Sequence, residues 1–212
     1  MITGMLLRFA MALALPIGLL HAQPSAAQLD KLYSQMDDAI GVRSAAIIGD
    51  IGTGFAIGHS LRIAEKLEPG GKLFCVDVKQ SVISKIKDQA DARHITNVEA
   101  VLGADDDPKL PPLTFDAILV SNTYHEFTQP SAMLKHLCEA LKPGGTLVVV
   151  ENCSIAHRSD SRPEQTKRHD IAPDILEREL SAASLVVKER IDPILVESAD
   201  RFRYLFKAEK SK

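Results

Sequence analysis

The chain has 212 residues, 45% of them apolar and 25% charged, and a formal net charge of −3. That balance suits one ordinary globular domain with a sizeable core. No long basic run, repeat or low-complexity tract occurs, which argues against nucleic acid as a partner.

Residues 1–28 read as a separate segment. Arg8 precedes an apolar run from Phe9 to Leu20, and small residues follow at Ala22 and at Ser25-Ala26-Ala27. A basic start, a short apolar stretch and a small-residue zone are the three parts of a secretory signal peptide. Export to the periplasm or beyond is therefore expected, with a cytoplasmic location the alternative. The run is too short for a stable membrane span. The folded domain is then expected over residues 29–212.

Leu29, Leu32, Tyr33, Met36 and Ile40 fall at helical spacing, which predicts a helix within 29–43 that leads into the first strand and can cover a bound ligand. Ala45 to Ile48 is a short apolar run bounded by glycine, as in a buried strand of a parallel sheet. Gly52 and Gly54 let the chain turn tightly and let a ligand approach the backbone. Leu61, Ala64 and Leu67 then mark a helix. Strand, glycine turn and helix start together make a nucleotide-type site at the mouth of a sheet. Asp50, two residues before Gly52, suits a cationic or amine-bearing group better than a pyrophosphate. A second buried strand, Leu73 to Asp77, ends in an acid about 20 residues past the turn, where a ribose hydroxyl pair is held.

These features come with three more: Phe115-Asp116-Ala117-Ile118-Leu119-Val120, Leu141-Lys142-Pro143-Gly144-Gly145, and Thr146-Leu147-Val148. In that order the motifs resemble the class I S-adenosylmethionine-dependent methyltransferases over roughly residues 35–209. The resemblance implies a doubly wound, Rossmann-like α/β fold with a seven-stranded, mostly parallel sheet and an antiparallel last strand. It implies S-adenosyl-L-methionine as cofactor. Asp50, Gly52 and Gly54 would hold its aminocarboxypropyl part and Asp77 its ribose, with Thr53 and Val78 also expected to touch the cofactor. The third strand, Asn97 to Gly103, leads to the loop expected at the adenine. Ala104 stands where such chains usually carry an acid, and Asp105 follows one residue later, so Asp105 is the expected adenine contact.

The fourth strand, Thr114 to Ser121, delivers Asn122-Thr123-Tyr124-His125-Glu126-Phe127 next to the methyl group. Asn122 is expected to touch the cofactor; related chains often carry aspartate there. His125 has the pKa of a general base and Tyr124 can orient it, which makes them the expected catalytic pair. Pro130 opens a helix and Lys142-Pro143-Gly144-Gly145 stops it. Thr146 to Glu151 reads as the fifth strand. Residues 153–171, with Arg158, Arg162, Arg168 and His169, read as an irregular insertion. It is expected to be a solvated loop, or else a basic wall for an acidic substrate. His125, His169 and Asp170 or Glu126 lack the tight spacing of a ligand motif, so no metal site is expected. Pro173 opens the last helix, and two strands close the domain. In this strand order the strands carrying Cys75 and Cys153 are separated by two others, too far for a disulfide.

The expected function is S-adenosylmethionine-dependent methylation of an unidentified small molecule. Two rivals stand beside it. A nicotinamide-binding oxidoreductase wants a third glycine where Ile57 stands. A degenerate, non-catalytic domain that binds cofactor or ligand is favoured by Ala56, which replaces the third glycine usual in the resembled family, and by export.

Overall fold

A computed structural model describes residues 24–54 and 57–210. Most of the expected signal peptide, and Ala56, lie outside the described residues. The first helix, α1 (Ala26–Ile40), begins three residues before the predicted domain start. Its start is set by a capping box: the Ser25 hydroxyl accepts from the Gln28 N–H at 3.3 Å, and the Gln28 side chain accepts from the Ser25 N–H at 2.9 Å. Gly41, with φ +65°, ends it in the left-handed conformation that glycine adopts cheaply.

The chain then alternates strand and helix. It runs β1 (Ile47–Ile51), α2 (Ile57–Leu67), β2 (Lys72–Asp77), α3 (Gln80–Ala92), β3 (Val98–Leu102) and β4 (Phe115–Ser121). A 3-10 turn (Tyr124–Glu126) follows, then α4 (Pro130–Ala140), β5 (Leu141–Ser154), the short α5 (Arg162–Thr166), α6 (Pro173–Ala182), β6 (Leu185–Val196) and β7 (Arg201–Lys210). The seven strands form one sheet in the order β3-β2-β1-β4-β5-β7-β6. β1 to β5 are parallel, and β7 is antiparallel to both its neighbours. This is the expected sheet. β5 is longer than Thr146–Glu151 because β7 pairs with it as far as Ser154, opposite Arg201.

Alternation along the strands feeds two cores. Ile118 and Val120 of β4 point to one face, where α4 and α6 bring Leu134, Leu137, Leu176 and Leu180. Ala117 and Leu119 point to the other, under Met36 of α1, Leu61 of α2 and Ile86 of α3. With both faces covered, the strands read as continuous apolar runs. The cysteines are free, as expected. Among the described residues no helix is long and apolar enough to cross a membrane.

The sheet's N-terminal edge is tied by Asp116. Its carboxylate accepts from the Ile47 N–H at 2.8 Å and from Lys142 Nζ at 3.0 Å, joining β1, β4 and β5. Above it, Phe115 is fully buried edge-on to Phe74, ring centroids 5.0 Å apart. Phe115→Ala should lower the unfolding free energy by about 3–5 kcal/mol in urea titration, whereas Val78→Ala at an exposed position should change it by about 0.5 kcal/mol or less.

Candidate active site

A cavity of about 1030 Å³ opens at the C-terminal ends of β1, β2 and β4. That edge is where an open parallel sheet leaves backbone and polar side chains free for a ligand. Asp50, at the end of β1, is 6% exposed and lines it. The Ser60 hydroxyl donates to its Oδ2 at 2.7 Å. Burial pushes the Asp50 carboxyl above the ordinary aspartate value, against the lowering pull of Ser60 and His59.

The glycine turn is built by β2. The N–H groups of Gly52 and Thr53 donate to the Val76 carbonyl at 2.8 and 3.1 Å. The Gly54 N–H donates to Asp77 Oδ2 at 3.0 Å, and the Lys79 N–H donates to Oδ1 at 2.9 Å. One carboxylate thus fixes both loops. An ionised carboxylate has about four acceptor positions, so room remains on Asp77 for a hydroxyl pair. Gly52 sits at φ +70°, and a Cβ there would lie 2.1 Å from Thr123 Cγ2. The Thr123 hydroxyl donates back to the Gly52 carbonyl at 3.1 Å, so the β1 and β4 loops touch.

Every expected cofactor contact lines this cavity: Asp50, Gly52, Thr53, Gly54, Asp77, Val78, Asp105 and Asn122. The loop after β3 closes on itself, with the Ala104 N–H donating to the Asp107 carbonyl at 2.8 Å. Both Ala104 and Asp105 reach the cavity wall. α1 contributes Leu29, Leu32, Tyr33 and Met36, so the predicted covering helix does border the space. Tyr33 stacks on His59 at 4.4 Å, and His59 bonds Asp37 at 2.9 Å.

The predicted catalytic pair is placed differently. A 3-10 turn has three residues per revolution, so three consecutive side chains leave it in three directions. Tyr124 goes into the core, fully buried, and its hydroxyl donates to Glu179 at 2.7 Å rather than to His125. His125 goes behind the cavity wall, 4% exposed, with Nδ1 at 2.9 Å from Glu151 Oε2. Glu126 alone of the three lines the cavity. Burial lowers the His125 pKa, but the bond to Glu151 and its charge outweigh that and raise it overall. His169 Nδ1 lies 3.3 Å from His125 Nε2, and with Glu126 the two histidines form a cluster whose ligand atoms lie within 4.8 Å of one another. The distance in sequence, 44 residues between the histidines, hid this from spacing arguments.

Residues 153–171 do not reach the cavity. Their basic side chains are paired instead: Arg158 with Asp174 at 3.1 Å, Arg162 with Glu179 at 2.8 Å, Arg168 with Asp160 at 2.9 Å. The far wall comes from Asn152 of β5 and from Glu197, Arg201 and Arg203 at the β6–β7 turn, none of which sequence reasoning picked out. Glu151-Asn152 carried a readable signal, a polar pair ending the apolar run Val148-Val149-Val150. Asn152 donates to the Asn122 side chain, while its own Oδ1 is buried without a hydrogen-bond partner.

Residues 50–147 match the family model described as a methyltransferase domain. The chain is 29% identical over 171 residues to the ubiquinone/menaquinone biosynthesis C-methyltransferase UbiE of Escherichia coli O1:K1 / APEC, a match that covers 79% of this chain and 61% of that protein. The chain thus spans about three fifths of the length of that relative. Its fold superposes on an S-adenosylmethionine-dependent methyltransferase from Aquifex aeolicus with a TM-score of 0.72, at 19% identity, over 88% of this chain and 94% of that one. The geranyl diphosphate C-methyltransferase of Streptomyces coelicolor A3(2), solved with Mg2+, geranyl diphosphate and S-adenosyl-L-homocysteine, gives 0.72 at 14% identity, over 86% and 79%. At those identities the likeness fixes the fold.

Gly52→Ala should strain the turn twice, through its positive φ and through Thr123. A loss of about 1–3 kcal/mol in chemical denaturation is expected, with the fold retained by circular dichroism.

Proposed function

We propose that this methyltransferase-domain protein transfers the methyl group of S-adenosylmethionine to a small molecule. The observation that carries the reading is the pair of buried carboxylates, Asp50 and Asp77, on either side of the Gly52–Gly54 turn and both on the cavity wall. The cavity suits that cofactor. A desolvated Asp50 gains from a cationic amine, which replaces the water it has lost. The turn presents backbone with no side chain in the way. Asp77, already held by two N–H donors, offers its remaining lone pairs to a ribose diol. The partnerless Asn152 Oδ1 waits for a donor.

The bound cofactor supplies an activated methyl on a sulfonium, and the leaving group departs neutral. The protein's task is then alignment more than proton management, and alignment alone is worth several kcal/mol. Asn122 and Glu126 stand at the end of β4 and face the cavity, so they are placed to orient an acceptor. His125 stands behind Glu126 and does not line the space. The apolar side chains of α1 on the opposite wall exclude water from the same volume.

Calorimetric titration of the folded domain with S-adenosylmethionine tests the reading. Asp77→Ala should weaken binding by about 1.5–3 kcal/mol, roughly ten- to a hundredfold, the size of a lost hydrogen bond to a charged group. A wild-type domain that is folded but binds no cofactor would sink it. Asp50 supplies a second check, by pH. Its raised pKa means that the carboxylate begins to protonate at a higher pH than an ordinary aspartate near 3.9. Affinity for the amine should therefore fall as pH drops through that raised value. Asp50→Asn should bind weakly and lose that dependence.

A further inference from the structure

We propose that His125, Glu126 and His169 form a divalent metal site of the borderline class that zinc represents, directly behind the cavity wall and joined to it through Glu126. Two imidazole nitrogens and one carboxylate are the donor set such cations prefer, whereas magnesium and calcium take oxygen donors. Three separate observations converge here.

The first is geometry. His125 Nε2 and His169 Nδ1 are 3.3 Å apart, and His125 Nε2 lies 3.9 Å from Glu126 Oε1. Ligands bound about 2.0–2.1 Å from one zinc ion in tetrahedral array stand roughly 3.3 Å from one another. The histidine pair is already at that separation, and the carboxylate, on a side chain 59% exposed, needs only a small swing.

The second is the support behind the first ligand. Glu151 is fully buried and accepts from His125 Nδ1 at 2.9 Å, from the His125 N–H at 3.2 Å and from the Asn152 N–H at 3.2 Å. A carboxylate on the far nitrogen fixes the tautomer. The Nε2 lone pair then points into the cluster, which is how metal-bound histidines are held.

The third is the placing of the second histidine. His169 follows α5 at φ +58°, a helix-ending conformation where glycine is the usual residue. Arg201 Nη2 donates to its carbonyl at 3.3 Å. An exposed residue is thus held so that its ring meets His125 edge-on, centroids 5.2 Å apart. On metal binding the Nδ1 proton of His169 moves to its Nε2, so the neutral imidazole binds through Nδ1 and no net proton is lost.

Three protein ligands leave a fourth position open for water or a substrate donor atom. Glu126 also lines the cavity, so the site shares that residue with the wall. An acceptor with a chelating oxygen or thiolate is the substrate class this favours. The metal test itself is independent of the cofactor reading, because it needs neither cofactor nor acceptor.

The experiment titrates tag-free, chelator-stripped protein with Zn2+ by calorimetry, and with Co2+ by visible absorption. Wild type should bind one ion and show Co2+ bands that Zn2+ displaces. His169→Ala and Glu126→Gln should each weaken binding at least tenfold while retaining wild-type circular dichroism. His136→Ala, on α4 and ion-paired to Glu139, should bind like wild type. Two results would overturn the proposal: absence of stoichiometric Zn2+ binding by wild type, or binding that His169→Ala and Glu126→Gln leave intact. Mg2+ that competes with Zn2+ at equal concentration would also refute the nitrogen donor set.

Discussion

A parallel sheet covered by helices on both faces has one edge where polar side chains can meet a ligand, and this chain depends on that constraint. β1, β2, β4 and β5 are apolar through their middles and turn polar at or just beyond their C-terminal ends, at Asp50, Asp77, Asn122 and Glu151-Asn152. Any of these groups one or two residues earlier would sit inside a core with no water and few partners, at a cost of several kcal/mol. The same rule that excludes them from the sheet gathers them around one cavity.

The glycine turn shows how closely fold and site are joined. Val76 accepts two N–H groups from the turn, and Asp77 accepts a third. The β2 end therefore builds the β1 loop before any ligand arrives. A carboxylate held in this way needs little reordering to meet a ligand, which is what preorganisation means in energetic terms. The network on α2 is similar in kind. Asp37 is buried against His59 and Lys66, and burial, which would raise its pKa, is outweighed by those two partners so that it is lowered. The contact pins α1 to α2 where both border the cavity.

The strands, the glycine turn and the strand-end acids Asp50 and Asp77 were legible because each rests on local sequence: apolar run, glycine spacing, acid at a strand end; the order of the strands was implied by the family resemblance. α1 starts earlier than expected because Ser25 and Gln28 cap it, in the zone where small residues had suggested cleavage. Of the two expectations for residues 153–171, a solvated loop or a basic wall, the basic wall fails. Their arginines look like a basic wall in a linear reading, yet Asp160, Asp174 and Glu179 neutralise them in space. A charge run reports nothing about a site until its partners are known.

The segment after β4 is the sharpest case. Tyr124, His125 and Glu126 look like one functional cluster in sequence, and a loop would allow all three to face one ligand. A 3-10 turn does not. Its three-residue period sends Tyr124 to Glu179, His125 to Glu151 and Glu126 to the cavity. Each partner lies far along the chain, so no spacing rule could find them. The buried Glu151 also changes what His125 can do. With Nδ1 committed to a carboxylate, only Nε2 remains, and it points at His169 and Glu126 rather than into open cavity. A histidine so placed is poor at taking a proton from a substrate and well suited to holding a cation beside one. Thus a helical period set by the backbone decides which chemistry an identical set of side chains can perform.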